Sequence, residues 1–394
     1  MSVKTEDRAI INILTFPFEI MRVWTAVIDK IKQKLNSKYL GSVIEELAIT
    51  LEKFPHPQQI LKRRRNLYYI TKSMNLPSGR TYPSFCIAGN CQSRPLATWL
   101  KLNFPFCSIK RLAPYQEITR QSQIDEWIEE AVKADFVMMI PVSDSYGGFK
   151  FGSNYVRSLL NEKTKYISYP SYYLEIFYPF FGYAKNAAGA NILGSEIREF
   201  RHPYGDYHDF LAMVLSTRSK DAQARFYEKV REIDNSKSFN SATIINLGIQ
   251  SFYEFEKRYP SYINLIKSDI INGVAHTFNH PTGDVLNKIY KQIWTRELGL
   301  KMSDYLDFNQ DPLRKTKLPI PSFVSIAILS EIMNAPWRKS RDMDFSIAHN
   351  TSNQYILSTK RCIQLYRSNP DIIECNEVHE KFKSSESFLH ELGI

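Results

Sequence analysis

Apolar residues recur along the chain with a helical period up to about residue 80, and with helical and strand periods alternating after it. Phe18 to Leu35 places Ile20, Met21, Trp24, Val27, Ile28, Ile31 and Leu35 on one face with lysines opposite. Ser42 to Phe54 and Gln58 to Met74 repeat the stripe, which predicts a helical N-terminal extension over residues 1–80. Asn75 to Pro83, with its Pro, Ser and Gly, reads as a linker. Strands are then predicted at Phe85 to Gly89, Phe106 to Arg111, Asp135 to Val142, Thr164 to Ser168 and Val274 to Phe278. Helices are predicted at Ser93 to Leu102, Gln123 to Lys133, Ser153 to Asn161, Asp206 to Leu215, Asp221 to Ile233, Ala242 to Lys257 and Thr282 to Leu298. Strands alternating with helices predict an α/β fold, a mostly parallel sheet flanked by helices, over residues 81–335. Tyr169 to Tyr204 is rich in Tyr, Phe and Gly and reads as a long structured loop over the crevice. Residues 336–394 are mixed and polar, a C-terminal tail whose order the pattern leaves open.

With 394 residues, 43% hydrophobic and 23% charged, the chain has the composition of a globular protein. No apolar run is long enough to cross a bilayer, and Met1 to Arg8 carries acids and lacks the apolar core of a secretory signal, so cytoplasmic residence is the expectation. Five scattered cysteines with no C-x-x-C pair argue for free thiols and against both a disulfide framework and a metal site. A net charge of +10 suggests an anionic partner. The basic runs Lys62-Arg63-Arg64-Arg65 and Arg314-Lys315-Thr316-Lys317 fit no nucleic-acid-binding motif, and they read first as solvated helix faces. Phe16, Phe18 and Trp24 beside basic positions admit peripheral association with the inner face of a membrane, although an amphipathic stripe more often packs on its own domain.

The chemistry concentrates at predicted strand ends. Gly89-Asn90-Cys91-Gln92 lies between a strand and a helix, where open α/β sheets form a ligand crevice and a helix start presents free N–H groups. A thiol there is expected to have a lowered pKa, which makes Cys91 the candidate nucleophile. Asp144 and His280 follow other predicted strands, with Thr282 suited to cap the next helix, and His208 lies beside acids at a helix start. Each has a structural reading as well: Asp144 as a turn former, His208 as a cap, and His280 as a residue holding a turn together. The aromatic loop could stack on a sugar ring or simply pack as core.

Taken together, Gly89-Asn90-Cys91-Gln92, Pro141-Val142-Ser143-Asp144-Ser145-Tyr146-Gly147, Tyr169-Pro170, Tyr207-His208-Asp209 and Thr277-Phe278-Asn279-His280-Pro281-Thr282 resemble, in order and spacing, the WcbI-type polysaccharide biosynthesis acetyltransferases. The resemblance spans roughly residues 82–335 and leaves out the N-terminal extension and the tail. It implies a three-layer fold similar to the SGNH hydrolases, acetyl-CoA as donor, and a capsular or other surface polysaccharide precursor as acceptor.

On this reading Cys91 takes the acetyl group by thioester exchange and His280 deprotonates the attacking sugar hydroxyl. Alternatively His280 activates the sugar for direct attack on acetyl-CoA, with Cys91 as a positioning group. The Cys91 and Gln92 N–H groups and the Asn90 side chain are candidate oxyanion donors. Asp144 orients the histidine or holds the sugar, and His208 completes the catalytic candidates. Gly89, Arg94, Asn279, Tyr146 and Lys150 are the coenzyme A candidates, and Arg94, Lys150, Arg157 and Lys185 are assigned to its phosphates by position alone. The same groups would also serve an esterase or thioesterase, and a non-catalytic glycan- or membrane-binding protein is the reading outside enzymes.

Overall fold

The computed structural model describes residues 76, 79–80, 82–104, 106–144, 146–197, 203–262, 275–307, 311–313, 317–334 and 352–394, of which residues 329–334 and 352 are described by their backbone alone. The predicted N-terminal helices, the membrane reading of the first of them, the run at 62–65 and most of the run at 314–317 lie outside the described residues.

The sheet is built from β1 (Ser84–Ala88), followed by α1 (Ser93–Asn103), β2 (Ser108–Arg111), α2 (Gln121–Ala131), β3 (Phe136–Met139), α3 (Ser153–Leu159) and β4 (Lys165–Ser168). All four strands are parallel, in the order β2-β1-β3-β4. β1 and β3 are buried along their whole length, as central strands covered on both faces must be, and their sequences are correspondingly continuous apolar runs. Phe85 sits 5.2 Å from Phe136, 5.5 Å from Phe104 and 5.6 Å from Trp294, ring to ring. The buried Asp135 accepts the Ser84 backbone N–H at 2.9 Å and its hydroxyl at 2.7 Å, which pins the start of β1 beside the start of β3. α2 buries Ile124, Trp127 and Ala131, a stripe at i, i+3 and i+7.

This strand order fixes where a ligand site can form. From β1 the chain steps outward to β2, then crosses back over β1 to β3, so the connections leaving β1 and β3 diverge and open a crevice at their carboxyl ends. Cys91 follows β1 and Asp144 follows β3.

The fifth expected strand departs from the sheet. β5 (Phe181–Gly182), β6 (Ala184–Lys185), β7 (Asn191–Ile192) and β8 (His208–Asp209) precede the helices α4 (Phe210–Thr217), α5 (Lys220–Ser236) and α6 (Ala242–Arg258). β9 (Ala275–Thr277) then pairs antiparallel with β10 (His280–Pro281), and α7 (Gly283–Leu298) follows. The run at 274–278 is therefore one arm of a two-stranded hairpin, and Val274 lies outside the described residues. Thr277 Oγ1 accepts the N–H groups of Asn279 at 3.3 Å and His280 at 3.1 Å, turning the chain before a parallel strand can extend. Thr282 holds the N-cap position of α7 but makes no side-chain cap bond, contrary to the capping role read for it.

The aromatic loop is mostly core: Tyr169, Tyr172, Phe177, Tyr178, Phe180 and Phe181 are buried, while Tyr173 and Tyr183 are partly exposed. β5 pairs with β8, so His208 and Asp209 belong to a ladder and α4 starts at Phe210, with Asp209 Oδ1 accepting the Ala212 N–H at 3.0 Å. Residues 210–216 of α4 are buried on every side. A helix that is apolar all round needs partners all round. The tail supplies them: after α8 (Ser322–Asn334), the helices α9 (Ser352–Ser368), α10 (Pro370–Asn376) and α11 (Glu380–Glu391) close the molecule, and α9 and α11 pack on α4. No helix among the described residues is long and apolar enough to cross a membrane.

Candidate functional site

The turn after β1 is held from three directions. Gly89 has no room for a side chain, because a Cβ there would lie 2.2 Å from the Tyr169 hydroxyl, which donates to the Ala88 carbonyl at 3.1 Å. Asn90 bends the chain into α1: its Oδ1 accepts the Gln92 N–H at 2.9 Å and its carbonyl accepts the Ser93 N–H at 3.0 Å. Its Nδ2 donates to Ser171 Oγ at 2.9 Å, tying the turn to the aromatic loop. Gln92 is buried, and its Nε2 donates to the carbonyls of Tyr172 at 2.8 Å and Asn279 at 3.0 Å. Its Oε1 accepts the Tyr172 N–H at 3.0 Å, and its own carbonyl accepts the Tyr290 hydroxyl at 3.1 Å. One glutamine thus joins the Cys91 turn, the aromatic loop and the hairpin that carries His280.

Cys91 lies half-buried between these fixed neighbours. Its thiol pKa is pushed up to about 11, because burial penalises the thiolate more than the N–H groups of Cys91 and Gln92 stabilise it, and the Glu117 carboxylate adds to the rise. The helix-start argument named real donors but the wrong net direction: desolvation outweighs them. The thiol's charge would be felt by Tyr169, Tyr183, Tyr207 and Tyr290.

His280 enters from β10. Its Nε2 is 3.4 Å from the Tyr207 hydroxyl, which donates its proton to Asn279 Oδ1 at 2.8 Å. With the Tyr207 proton given to Asn279 Oδ1, the imidazole proton is assigned to Nε2 and the lone pair to Nδ1. Nδ1 is buried without a hydrogen-bond partner. Burial, then the neighbouring His276, lowers the His280 pKa to about 4. At neutral pH the ring is uncharged and holds an uncommitted lone pair. Asn279 is fully engaged, with Oδ1 also accepting Thr277 Oγ1 at 2.8 Å and Nδ2 donating to the Tyr183 hydroxyl at 3.1 Å.

Most of the other expected site residues have structural partners elsewhere. Asp144 is exposed and receives the Tyr155 N–H at 3.2 Å and Asn154 Nδ2 at 3.4 Å, closing the start of α3. Gly152 at that helix's N-cap has no side chain to do so, and a Cβ there would lie 2.2 Å from Asp144 Cα. His208 is fully buried, with Nδ1 3.2 Å from the Tyr366 hydroxyl and Nε2 3.0 Å from the Ile192 carbonyl, and burial lowers its pKa to about 4. The exposed Tyr146 ring lies 5.5 Å from Tyr115, and the Lys150 ammonium lies 5.0 Å over Tyr155. Arg94 is exposed on α1, Arg157 lies 5.9 Å over the Tyr166 ring, and Lys185 donates to Asn191 at 2.5 Å.

Cys91, Asn90, Gln92, Asn279 and His280 are thus joined by hydrogen bonds and ring contacts, whereas Asp144 and His208 are bound into the scaffold. Tyr207 and Thr277 lie in segments that carry the resemblance but, like Tyr183, have no site role assigned from the sequence; they position Asn279 and His280. A signal for Tyr207 exists in retrospect, since a β8 residue bonded into the ladder turns its predecessor toward the hairpin. His276, without a supporting pattern in the sequence, bonds Asp311 through Nε2. No cluster of three or more His, Cys, Asp or Glu able to hold a metal occurs among the described residues.

Residues 84–303, 220 of the chain's 394, match the sequence model of the family described as polysaccharide biosynthesis enzyme WcbI. A solved structure of WcbI, described as a novel polysaccharide biosynthesis enzyme, has the same fold at a TM-score of 0.54 and 18% identity, covering 79% of this chain and 99% of the other. It is described as the native protein without a disulfide bond between coenzyme A and one of its cysteines. No curated protein matches.

Proposed function

This chain belongs to the WcbI family of polysaccharide biosynthesis enzymes, and from that premise we propose that it transfers an acetyl group from acetyl-CoA to a hydroxyl of a capsular or other surface polysaccharide precursor. The observation that carries the reading is the Gln92 side chain, which binds the Cys91 turn to the His280 hairpin at the carboxyl end of β1. The coenzyme A and cysteine named together for the solved WcbI structure support a thiol beside the donor, and Cys91 is the strand-end thiol here.

In this mechanism the sugar hydroxyl attacks the thioester carbonyl while His280 Nδ1 takes its proton, and the tetrahedral oxyanion is met by the Cys91 N–H and the second Asn90 amide proton. Collapse breaks the C–S bond, and the coenzyme A sulfur leaves with the proton returned by His280. A thiol held to about 11 is almost wholly protonated at neutral pH, which favours this direct route, with Cys91 as a positioning group, over an acetyl-cysteine intermediate. In the covalent route Cys91 Sγ displaces coenzyme A first, and the sugar hydroxyl then displaces Cys91 Sγ. The cytoplasm, where acetyl-CoA is available, is the proposed compartment.

The test is coenzyme A release from acetyl-CoA with and without glycan acceptor. Acceptor-dependent release, abolished in His280→Ala, is expected. Equal release without any glycan would make the protein a thioesterase and overturn the proposal. Intact-protein mass spectrometry after brief exposure to acetyl-CoA separates the two routes, because only the covalent one adds an acetyl group to Cys91.

A further inference from the structure

We infer that Lys381, in the C-terminal helix α11, is a positioning residue for the hairpin that carries His280, so that the tail completes the site. Lys381 is 8% exposed, and so buried a cation needs compensation. Its Nζ lies 2.7 Å from Glu175 Oε2 and 3.0 Å from the Pro179 carbonyl. Its methylene stem lies against Gly182, where a Cβ would stand 2.9 Å from Lys381 Cδ.

From these contacts two arms reach the hairpin. On the first, Glu175 Oε1 accepts the Tyr173 hydroxyl at 2.8 Å, and the Tyr173 ring meets Phe278 edge-on at 5.2 Å. The intervening Leu174 N–H donates to the Phe278 carbonyl at 2.7 Å. On the second, Gly182 precedes Tyr183, whose hydroxyl accepts Asn279 Nδ2 at 3.1 Å and whose ring lies 5.9 Å from Phe278. Phe278 and Asn279 are the turn of the hairpin, directly before His280. One side chain therefore braces both flanks of the segment that sets the histidine. The family match ends at residue 303, so this brace comes from outside it.

The experiment combines amide hydrogen exchange with steady-state kinetics on the full chain, using Lys381→Met, Lys381→Arg and Glu175→Gln. Lys381→Met is expected to speed exchange over residues 275–281 tenfold or more and to leave β1 and β3 unchanged. On the acetyltransferase reading, on which only this second readout rests, kcat falls at least tenfold with the KM for acetyl-CoA within threefold. Lys381→Arg restores the charge and at least half of the protection. Glu175→Gln is isosteric and serves as the second variant should Lys381→Met fail to fold; it loosens the hairpin in the same direction. Unchanged exchange at 275–281 with only a lower melting temperature would overturn the inference, and so would loosening spread equally over the sheet. Wild-type protein without transfer activity, but with the exchange result intact, would defeat the activity and leave the brace standing.

Discussion

The Cys91 thiol offers the sharpest quantitative test, because sequence and structure predict opposite directions for it. Raising its pKa from 9.0 to about 11 is worth about 2.7 kcal/mol against the thiolate, at about 1.36 kcal/mol per unit. At pH 7.5 the thiolate fraction falls from about 3 in 100 to about 3 in 10,000, roughly a hundredfold. The rarer thiolate is also more nucleophilic; with a Brønsted slope of about 0.45 it recovers roughly eightfold of that loss. Cys91 in the native protein should therefore react with a small aromatic disulfide about tenfold more slowly at pH 7.5 than the same cysteine in urea. The rate should climb tenfold per pH unit to about pH 10. Quenched reaction mixtures digested and mapped by mass spectrometry would isolate Cys91 from Cys86 and Cys107, both pushed up to about 12 by burial. A plateau below pH 9, or a native rate above the unfolded one, would refute the reasoning and restore the helix-start argument.

Three further outcomes follow from the same contacts. Gly89→Ala drives a Cβ to 2.2 Å from the Tyr169 hydroxyl and should cost about 1–3 kcal/mol in urea unfolding; combination with Tyr169→Phe, which removes that oxygen, should recover part of it. Tyr207→Phe removes the hydroxyl shared by Asn279 and His280, so transfer should fall tenfold or more with the circular dichroism spectrum preserved; full activity would exclude Tyr207 from the site. Buried Asp209 and His208 act on stability in opposite directions. The Asp209 pKa is raised by burial from 3.8 to about 7, so its stabilisation is complete below 3.8 and lost as pH rises through 7. The His208 pKa is lowered from 6.5 to about 4, so its stabilisation is complete above 6.5 and lost as pH falls through 4. Asp209→Asn keeps the cap on α4 and should stabilise the protein at pH 7.5 by up to about 4 kcal/mol, with a steeper loss toward pH 4. An unchanged unfolding midpoint at pH 7.5 would contradict this.

Most of the sheet is legible in the sequence because β1 and β3 are buried on both faces, which leaves short unbroken apolar runs, and the helices between them show clear stripes. Ala275 to Thr277 has similar residues but a different fate, since a run that short does not encode its partner and the Thr277 hydroxyl decides the turn. The docking of α9 and α11 is invisible locally, because the demand for them is written in the all-round apolar α4, more than a hundred residues earlier. Within the candidate site, the neighbourhood of Asn90, Cys91 and Gln92 between a strand and a helix follows from the sequence. The Cys91 pKa does not, because desolvation depends on how the folded chain buries the thiol, which the local sequence does not encode. Asp144 and His208 share the strand-end or helix-start placement of the other candidate site residues, and their bonding partners tie them to the scaffold.

Gln92 has a consequence for how the molecule comes into being. Its side chain bonds residues 80 and 187 positions further along the chain, so no fragment that ends before Asn279 contains that amide in its finished setting. A chain that ends before that residue should display Cys91 as an ordinary reactive thiol, whereas the folded protein holds it protonated. The dormancy of this sulfur is thus a certificate of completed folding, and a cell or an experimenter with a thiol probe can read it.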